Sequence, residues 1–485
     1  MAHCPAADAS VDEHRRPCTP GRYGSRVARD GSRSASGRAR RRGQLAAARP
    51  VQVISIAFGA ATLIGTLLLM LPISKTGPGG ANLIEALFTA TSAICVTGHI
   101  IVDTPVFWTP FGHAVILTLV QIGGIGVMSF ATLLGLLVAR RLGLRTRLTA
   151  VSETHTLAIG DVRRVLRGVI LIALGVEVLC ATILALRWMI GYGWAPGDAI
   201  WFGVFHAVSA FNNAGFALFS DSIMGYATDP WISLTICAAV ILGGLGFGVI
   251  LELRRRFRTP SRWTLNTMTV VVGTLILLVV GCGFITALEW SNPATLGALA
   301  PADRLLAGFT AGVLPRTAGF NNLDVSQMHP VTWLVTDILM FIGGGPASTA
   351  GGLKITTFAV LFFIIVTELR GGAAVNMFGK RLPRSTHREA ITVALLSVGL
   401  VVGATAAIML MTDYSLDRVL FEVISAYATV GLSTGITASL PVAAQLILVV
   451  LMFVGRIGPI ALGSALALRT ENRLYELPKE RPIIG

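Results

Sequence analysis

Four short stretches of the chain carry the residue types and spacing from which chemistry would be expected. Aligned on a glycine, they read Ser92-Ala-Ile-Cys-Val-Thr-Gly98, Ser209-Ala-Phe-Asn-Asn-Ala-Gly215, Val313-Leu-Pro-Arg-Thr-Ala-Gly319 and Ser425-Ala-Tyr-Ala-Thr-Val-Gly431. Three copies place Ser six residues before the glycine, and all four place Phe ten before it, at Phe88, Phe205, Phe309 and Phe421. The chemistry this pattern suits is coordination by the backbone. A cation that sheds its water needs oxygen ligands, and carbonyls of loops running along a pore axis supply them. Glycine lets such a loop adopt backbone angles closed to other residues. The candidate ligand positions are Val96, Thr97 and Gly98; Asn213, Ala214 and Gly215; Thr317, Ala318 and Gly319; and Thr429, Val430 and Gly431. At Cys95 the carbonyl would do this work, not the thiol. One Gly-bearing loop would be a weak signal, whereas four in register are a specific one.

The elements that must position these loops are apolar. The chain has 485 residues, of which 53% are hydrophobic and 13% charged. Soluble domains carry about 25% charged residues, so this chain lacks the charge to cover a water-facing globule. Eight apolar blocks, near 51–73, 109–139, 165–190, 230–251, 266–290, 331–368, 388–412 and 442–468, are each long enough to approach the roughly 20 residues of a membrane-spanning helix. The four glycines recur at intervals of 117, 104 and 112 residues, and each is followed in the next block by further glycines: Gly123-Gly124, Gly243-Gly244, Gly343-Gly344, and Gly455 with Gly458. Recurrence of this kind marks an internally repeated architecture. The expected fold is an all-α polytopic membrane protein of eight transmembrane spans. Its four span–pore-helix–span repeats would have pseudo-fourfold symmetry around one central pore. The repeats fall at 50–142, 143–258, 259–370 and 371–470. All four point the same way, unlike inverted transporter repeats. Each re-entrant helix would aim its negative C-terminal end at the pore.

Within the sixth block, Gly343-Gly-Gly-Pro-Ala-Ser-Thr-Ala-Gly-Gly352 cannot hold a regular helix, since Gly costs about 1 and Pro about 3 kcal/mol in a helix interior. Its freed backbone groups must be buried in protein or line a wet cavity. Arg456 lies mid-block between glycines, where a charge costs at least about 2.5 kcal/mol unless compensated. It is expected to face the pore and bond the carbonyls of the break; the alternative is an ion pair between helices. Lys354 ends the break and either shares this role or snorkels to the cytoplasm. Asp103, Asp221 and Asp324 follow their glycines by five, six and five residues. They either form an outer vestibule that concentrates cations or are ordinary solvated loop acids. His113 and His206 read as packing or interfacial residues.

The net charge of +14 owes much to arginines in the first fifty residues, from Arg15 to Arg49. Residues 1–49 read as a basic disordered cytoplasmic tail suited to anionic lipid rather than nucleic acid, and 471–485 as a cytoplasmic C-terminus. No short apolar core with a cleavage site precedes the first block, which argues against a signal peptide. Lys and Arg cluster in alternate connections, which places those connections and both termini inside the cell. Cys4, Cys18, Cys95, Cys180, Cys237 and Cys282 form no C-x-x-C pair, so neither a zinc site nor a disulfide framework follows. There is no H-E-x-x-H or G-x-S-x-G motif and no span with Arg at every third position. An enzyme and a voltage-gated channel are therefore both disfavoured.

The four glycines, Pro315-Arg-Thr-Ala-Gly-Phe-Asn321, Ser348-Thr-Ala-Gly-Gly-Leu-Lys354 and Gly455-Arg-Ile-Gly-Pro459 together resemble the potassium transporter superfamily of TrkH, KtrB and plant HKT proteins. The resemblance spans roughly residues 51–470 and, with eight spans, lies nearer the KtrB branch. It implies potassium uptake across the cell membrane, with glycine in all four loops going with potassium and serine in the first with sodium permeation. It also implies a gate at Gly343, Gly344, Gly345, Ser348, Thr349, Gly351 and Gly352, with Lys354 and Arg456. The implied partners are a second copy of the chain and a cytosolic nucleotide-binding regulatory subunit of KtrA or TrkA type. No cofactor is implied on this chain, and the nucleotide belongs to the partner. Symport with sodium or protons is the alternative. Pro346 and Ala347 depart from the small polar residues expected in the break, and His99 from the apolar residue expected after Gly98.

Overall fold

The structure is a computed structural model that describes residues 55–141, 159–372 and 374–458. The expected tail 1–49 and C-terminus 471–485 lie outside the described residues. Fourteen main helices fall into four groups. The first is α1 (Ser55–Leu69), α2 (Leu83–Ile94) and α3 (Pro110–Arg141). The second is α4 (Ile159–Tyr192), α5 (Pro196–Phe211), α6 (Pro230–Leu245) and α7 (Phe247–Arg256). The third is α8 (Leu265–Glu289), α9 (Pro301–Val313), α10 (Pro330–Phe341) and α11 (Ile355–Leu369). The fourth is α12 (Arg384–Met409), α13 (Leu416–Tyr427) and α14 (Val442–Ile457).

Local sequence accounts for where these helices begin. Pro196, Pro230, Pro301 and Pro330 sit in the first turn, where a missing N–H costs nothing and φ is already set. Asp229 caps α6 by accepting from Trp231 N at 2.9 Å and Ile232 N at 3.4 Å. Glu85 reaches back to the Asn82 N–H at 2.8 Å, one half of a capping box.

Burial is inverted relative to a water-soluble protein. The short helices α2, α5, α9 and α13 are enclosed, with Phe88, Phe205 and Phe421 wholly buried, while the long helices present Leu171, Val178, Leu275 and Leu395 outward. Large apolar side chains face out because the surrounding solvent is lipid.

The eight apolar blocks are only partly matched by single long helices. Among the described residues only α3, α4, α8 and α12 are long and apolar enough to cross a bilayer alone. The block at 230–251 is not one helix: α6 and α7 meet at a bend of 98°. Gly246 stands there at φ +88, and the Phe247 N–H donates to Ala347 O at 3.3 Å. The kink therefore exists to receive the Gly-rich break. The block at 331–368 is split into α10 and α11 by that break, as its glycines and proline led one to expect. The all-α expectation also missed a small hairpin pairing Asn376–Met377 with Lys380–Arg381. Its Phe378-Gly379 turn has positive φ at both residues, the geometry of a two-residue hairpin turn.

The glycines that follow each loop have a common packing role in three of the four groups. A Cβ added at Gly123, Gly243 or Gly455 would collide with the carbonyl oxygen of Ile94, Phe211 or Tyr427 respectively. Each of those carbonyls belongs to the last residue of a short helix. The next helix thus presses its bare backbone against the end of the short helix, and only glycine permits that approach. Gly175, exposed on α4, has no atom within 4 Å of such a Cβ. Gly455→Ala is expected to destabilise the protein by about 1–3 kcal/mol and Gly175→Ala to do no such harm, read from thermal unfolding of the two variants in detergent.

Candidate functional site

Each loop starts where a short helix is made to stop. In the first, second and fourth groups the ending is the same. The N–H of the residue before the glycine bonds the Ser carbonyl: Thr97 to Ser92 at 2.8 Å, Ala214 to Ser209 at 2.7 Å and Val430 to Ser425 at 2.8 Å. The preceding residue, in left-handed conformation, bonds one turn back, as Val96 does to Ala93 at 3.1 Å. This is a Schellman ending, and it recurs at the same distance before each of the three glycines. The third loop lacks it, since Pro315 and Arg316 stand where the others turn; there Ala318 N bonds Leu314 O at 3.0 Å.

The four glycines meet. A Cβ at Gly98 would stand 3.0 Å from the Gly215 Cα, one at Gly215 2.7 Å from the Gly319 Cα, and one at Gly431 3.0 Å from the Gly98 carbonyl carbon. A Cβ at Gly319 would run into the Val430 oxygen, which closes the cycle. In every loop φ is positive at the glycine and again two residues earlier, at Val96, Asn213, Thr317 and Thr429. Positive φ at every second residue departs from an ordinary strand, where φ is negative throughout. β-Branched residues rarely adopt positive φ, and each such residue costs about 1–3 kcal/mol, so the surrounding structure enforces the arrangement. All twelve candidate ligand residues are buried, and the Thr97 and Thr429 hydroxyls have no hydrogen-bond partner among the described residues.

On one side the cluster opens into a cavity of about 370 Å³. All four glycines line it, as do Asp103, Asp221 and Asp324. The three acids are exposed, and Asp103 and Asp324 accept hydroxyls from Ser220 and Ser326, each at 2.6 Å. His99 is not at the mouth but wholly buried, with Nε2 2.6 Å from Glu422 Oε2. His206 is also buried, bonded to Phe202 O at 2.8 Å and receiving Leu218 N at 3.3 Å, and His113 lies 3.0 Å from Thr104 O.

On the other side lies the Gly-rich break. Gly343, Gly344, Gly345, Ser348, Thr349, Gly351 and Gly352 are all buried, and the backbone is paired as its position requires. Gly343 N bonds Leu353 O at 2.8 Å and Gly345 N bonds Gly244 O at 2.9 Å. The Thr349 hydroxyl bonds Asn213 Oδ1 at 3.1 Å, and a Cβ at Gly352 would lie 3.1 Å from the Ala428 Cα. The break therefore packs directly against the second and fourth loops. The Arg456 guanidinium, 5% exposed, donates to Thr349 O and, at 3.1 Å, to Gly123 O. It makes no ion pair among the described residues; carbonyls compensate it. Lys354 Nζ donates to Ala350 O at 2.5 Å rather than extending away.

Five buried acids among the described residues escaped the sequence reading: Asp229 and Glu289 near helix ends, and three within the helix groups. Glu422 sits one residue after the aligned Phe421. Glu177 on α4 accepts from Gln121 at 2.9 Å and from Asn212, beside the second loop, at 3.0 Å. Asp337 on α10 is 5% exposed, and its Oδ1 has no hydrogen-bond partner among the described residues. A lone carboxylate within an apolar run was the available signal for these three.

Comparison with known proteins identifies this framework. The family described as "TrkH: Cation transport protein" matches residues 31–471. The chain belongs to the TrkH family. It is 40% identical to the Ktr system potassium uptake protein B of Bacillus subtilis over 90% of this chain and 97% of that one. It is 38% identical to the protein of the same name from Vibrio alginolyticus, over 90% and 94%. It is 32% identical to the potassium/sodium uptake protein NtpJ of Enterococcus hirae, over 90% and 97%. The crystal structure of the potassium transporter TrkH from Vibrio parahaemolyticus superposes with a TM-score of 0.68 at 17% identity, covering 87% of this chain and 84% of that one; this likeness concerns the fold. Members of the TrkH family are multi-pass membrane transporters of ions, not enzymes.

Replacing Asp103, Asp221 and Asp324 together by Asn should slow cation uptake strongly at about 0.01 M ionic strength, where the screening length is about 30 Å, and little at about 1 M, where it is about 3 Å. Initial uptake rates across that range test it; a loss equal at all salt levels would place the acids' role elsewhere.

Proposed function

We propose that the chain takes up potassium ions across the cell membrane, with the four loops as its selectivity filter. The observation that carries this is the closed cycle of Gly98, Gly215, Gly319 and Gly431 between an acid-lined cavity and a buried Gly-rich break. Around it the four helix groups act as pseudo-fourfold repeats comprising eight spans, two of them broken. The alternating backbone turns carbonyls of the twelve loop residues toward a shared axis, and the Thr97 and Thr429 hydroxyls add oxygen donors. These oxygens replace a potassium ion's hydration shell, and the short helices direct their negative ends at it. Driving force comes from voltage: at 100 mV one charge gains about 2.3 kcal/mol, about fifty-fold accumulation.

Under the filter, the break and Arg456 form the gate, an obstruction of backbone plus one fixed positive charge. Lys354 adds a second. Both termini lie in the cytoplasm. A homodimer of the chain, docked on a cytosolic nucleotide-binding subunit that moves the break, accords with the names of relatives that belong to a Ktr "system". Symport with sodium or protons is the second reading. Asp337, a buried carboxylate, and the potassium/sodium uptake relative favour it.

Proteoliposomes in mixed potassium and sodium gradients test the assignment. The reversal potential is expected to follow the potassium gradient alone. A reversal set jointly by potassium and sodium or protons would establish symport, and a folded protein without potassium flux would overturn both readings. Gly431→Ala, whose Cβ meets the Thr97 oxygen, should abolish the flux.

Arg456→Gln removes the charge but keeps a donor for Thr349 O. Flux without the regulatory subunit should rise by about tenfold, the effect of about 1.4 kcal/mol off a barrier. Unchanged flux in a folded variant would assign Arg456 to structure only.

A further inference from the structure

The pair formed by His99 and Glu422 lies outside the ligand positions yet touches the filter from behind. His99 directly follows Gly98, is fully buried, and packs edge-on at 6.4 Å against Phe88, the aligned aromatic of the first group. Its Nδ1 has no partner among the described residues, so the bond from Nε2 to Glu422 is its polar anchor. A carboxylate only accepts, which assigns the proton of that bond to Nε2. Glu422 in turn collects the chain that leaves the fourth loop. Its Oε1 accepts from Ser433 Oγ at 2.8 Å, Thr434 N at 2.8 Å and Thr434 Oγ1 at 3.0 Å, and its Oε2 from Thr437 Oγ1 at 2.7 Å. Five donors fill the acceptor capacity of one ionised carboxylate.

The second group shows what this device is in its plain form. His206 occupies the position of Glu422, one residue after the aligned Phe, and likewise accepts the N–H of the third residue after its glycine, Leu218. That strut stays within one repeat and is uncharged on the accepting side. In the third group Thr310 instead bonds Leu306 O of its own helix at 2.9 Å. In the fourth group alone the strut carries a charge, and that charge is shared across to the first loop.

We propose that His99 and Glu422 form a cross-repeat clamp that sets the spacing of the first and fourth filter loops and thereby the discrimination of potassium from sodium. These loops are neighbours in the cycle, for a Cβ added at Gly431 would collide with the Thr97 carbonyl oxygen. His99 holds one of them from the residue beyond its glycine, and Glu422 holds both the helix before the other and the chain after it. Carbonyl rings distinguish ions through cavity size and the field of their oxygens, so a link that fixes the distance between two of the four loops acts on selectivity. Both residues are positioning residues and do not touch the ion.

The clamp rests on the filter reading of the preceding subsection, and the two fail differently. The full chain in proteoliposomes is compared with H99L, H99Q, E422Q and the double variant H99L/E422Q, with bi-ionic reversal potentials giving the potassium-to-sodium permeability ratio. H99L should lower the ratio by about tenfold, or about 1.4 kcal/mol. H99Q, whose amide donates to Glu422, should recover most of it, and H99L should add nothing in the E422Q background, as coupled partners require. A ratio for H99L within about twofold of the unaltered chain, well under the 1.4 kcal/mol of a tenfold change, overturns the clamp, as does H99Q behaving like H99L. Should H99L not fold, E422Q carries the decision: it is isosteric and keeps acceptors for Thr434, and an unchanged ratio there also overturns the clamp. Absence of potassium flux in the unaltered chain would instead defeat the filter reading itself.

Discussion

Everything in this structure follows from the cost of leaving a helix inside a membrane. A backbone polar group without a partner in hydrocarbon costs several kcal/mol, and lipid offers none. The chain leaves helical geometry after α2, α5, α9 and α13, again at Gly246, and again between Gly343 and Gly352. Each exit is enclosed by protein and each is paired. Schellman bonds tie three loop entries back to a Ser carbonyl. The kink at Gly246 and the Gly-rich break pair with each other, through Phe247 N to Ala347 O and Gly345 N to Gly244 O. Among the loop side chains, the Thr97 and Thr429 hydroxyls have no partner among the described residues, and under the proposed reading they and the loop carbonyls are the groups an ion would use.

The same constraint explains the second set of glycines. A helix end exposes carbonyls that need either partners or close shielding. Gly123, Gly243 and Gly455 bring the following helix so near that a single methyl would collide with the last carbonyl of the short helix. The third group has no such contact. There α9 ends at Val313, two residues before Pro315, without the Schellman bond, and the following span is interrupted by the break. The two irregularities fall in one repeat: the group that lacks the standard helix ending also carries the Gly-rich break.

The repeat, its glycines, the Gly-rich break and the buried Arg456 were legible because each is a local violation of a strong rule: glycine where a helix would run, or charge where lipid would be. The bend at Gly246 was not legible. Gly243-Gly-Leu-Gly246 reads as tolerable in an apolar helix, and only its tertiary partner, Ala347, makes it a hinge. The left-handed Val96, Thr317 and Thr429 were hidden for a related reason, since propensity argues against positive φ at β-branched residues and tertiary packing overrides it. His99 stood out as a departure from the family pattern, but its meaning lay 323 residues away in Glu422. Pairings at that separation leave no periodic trace.

Covalent linkage of the four repeats is what allows these asymmetries. In a filter made from four identical chains, any change behind one loop is repeated behind all four. A buried His–Glu pair would then place four fixed carboxylates around the ions, and a buried Arg under each loop would bring four positive charges beneath them. With the repeats joined in one chain, Arg456, the break and Glu422 each occur once. One obstruction is enough to close a path that ions take in single file, and one charge is enough to bias it. Under the proposed reading, the ring of glycines keeps the symmetry that coordination needs, while the break and Arg456 lie in the third and fourth groups, where symmetry is already broken.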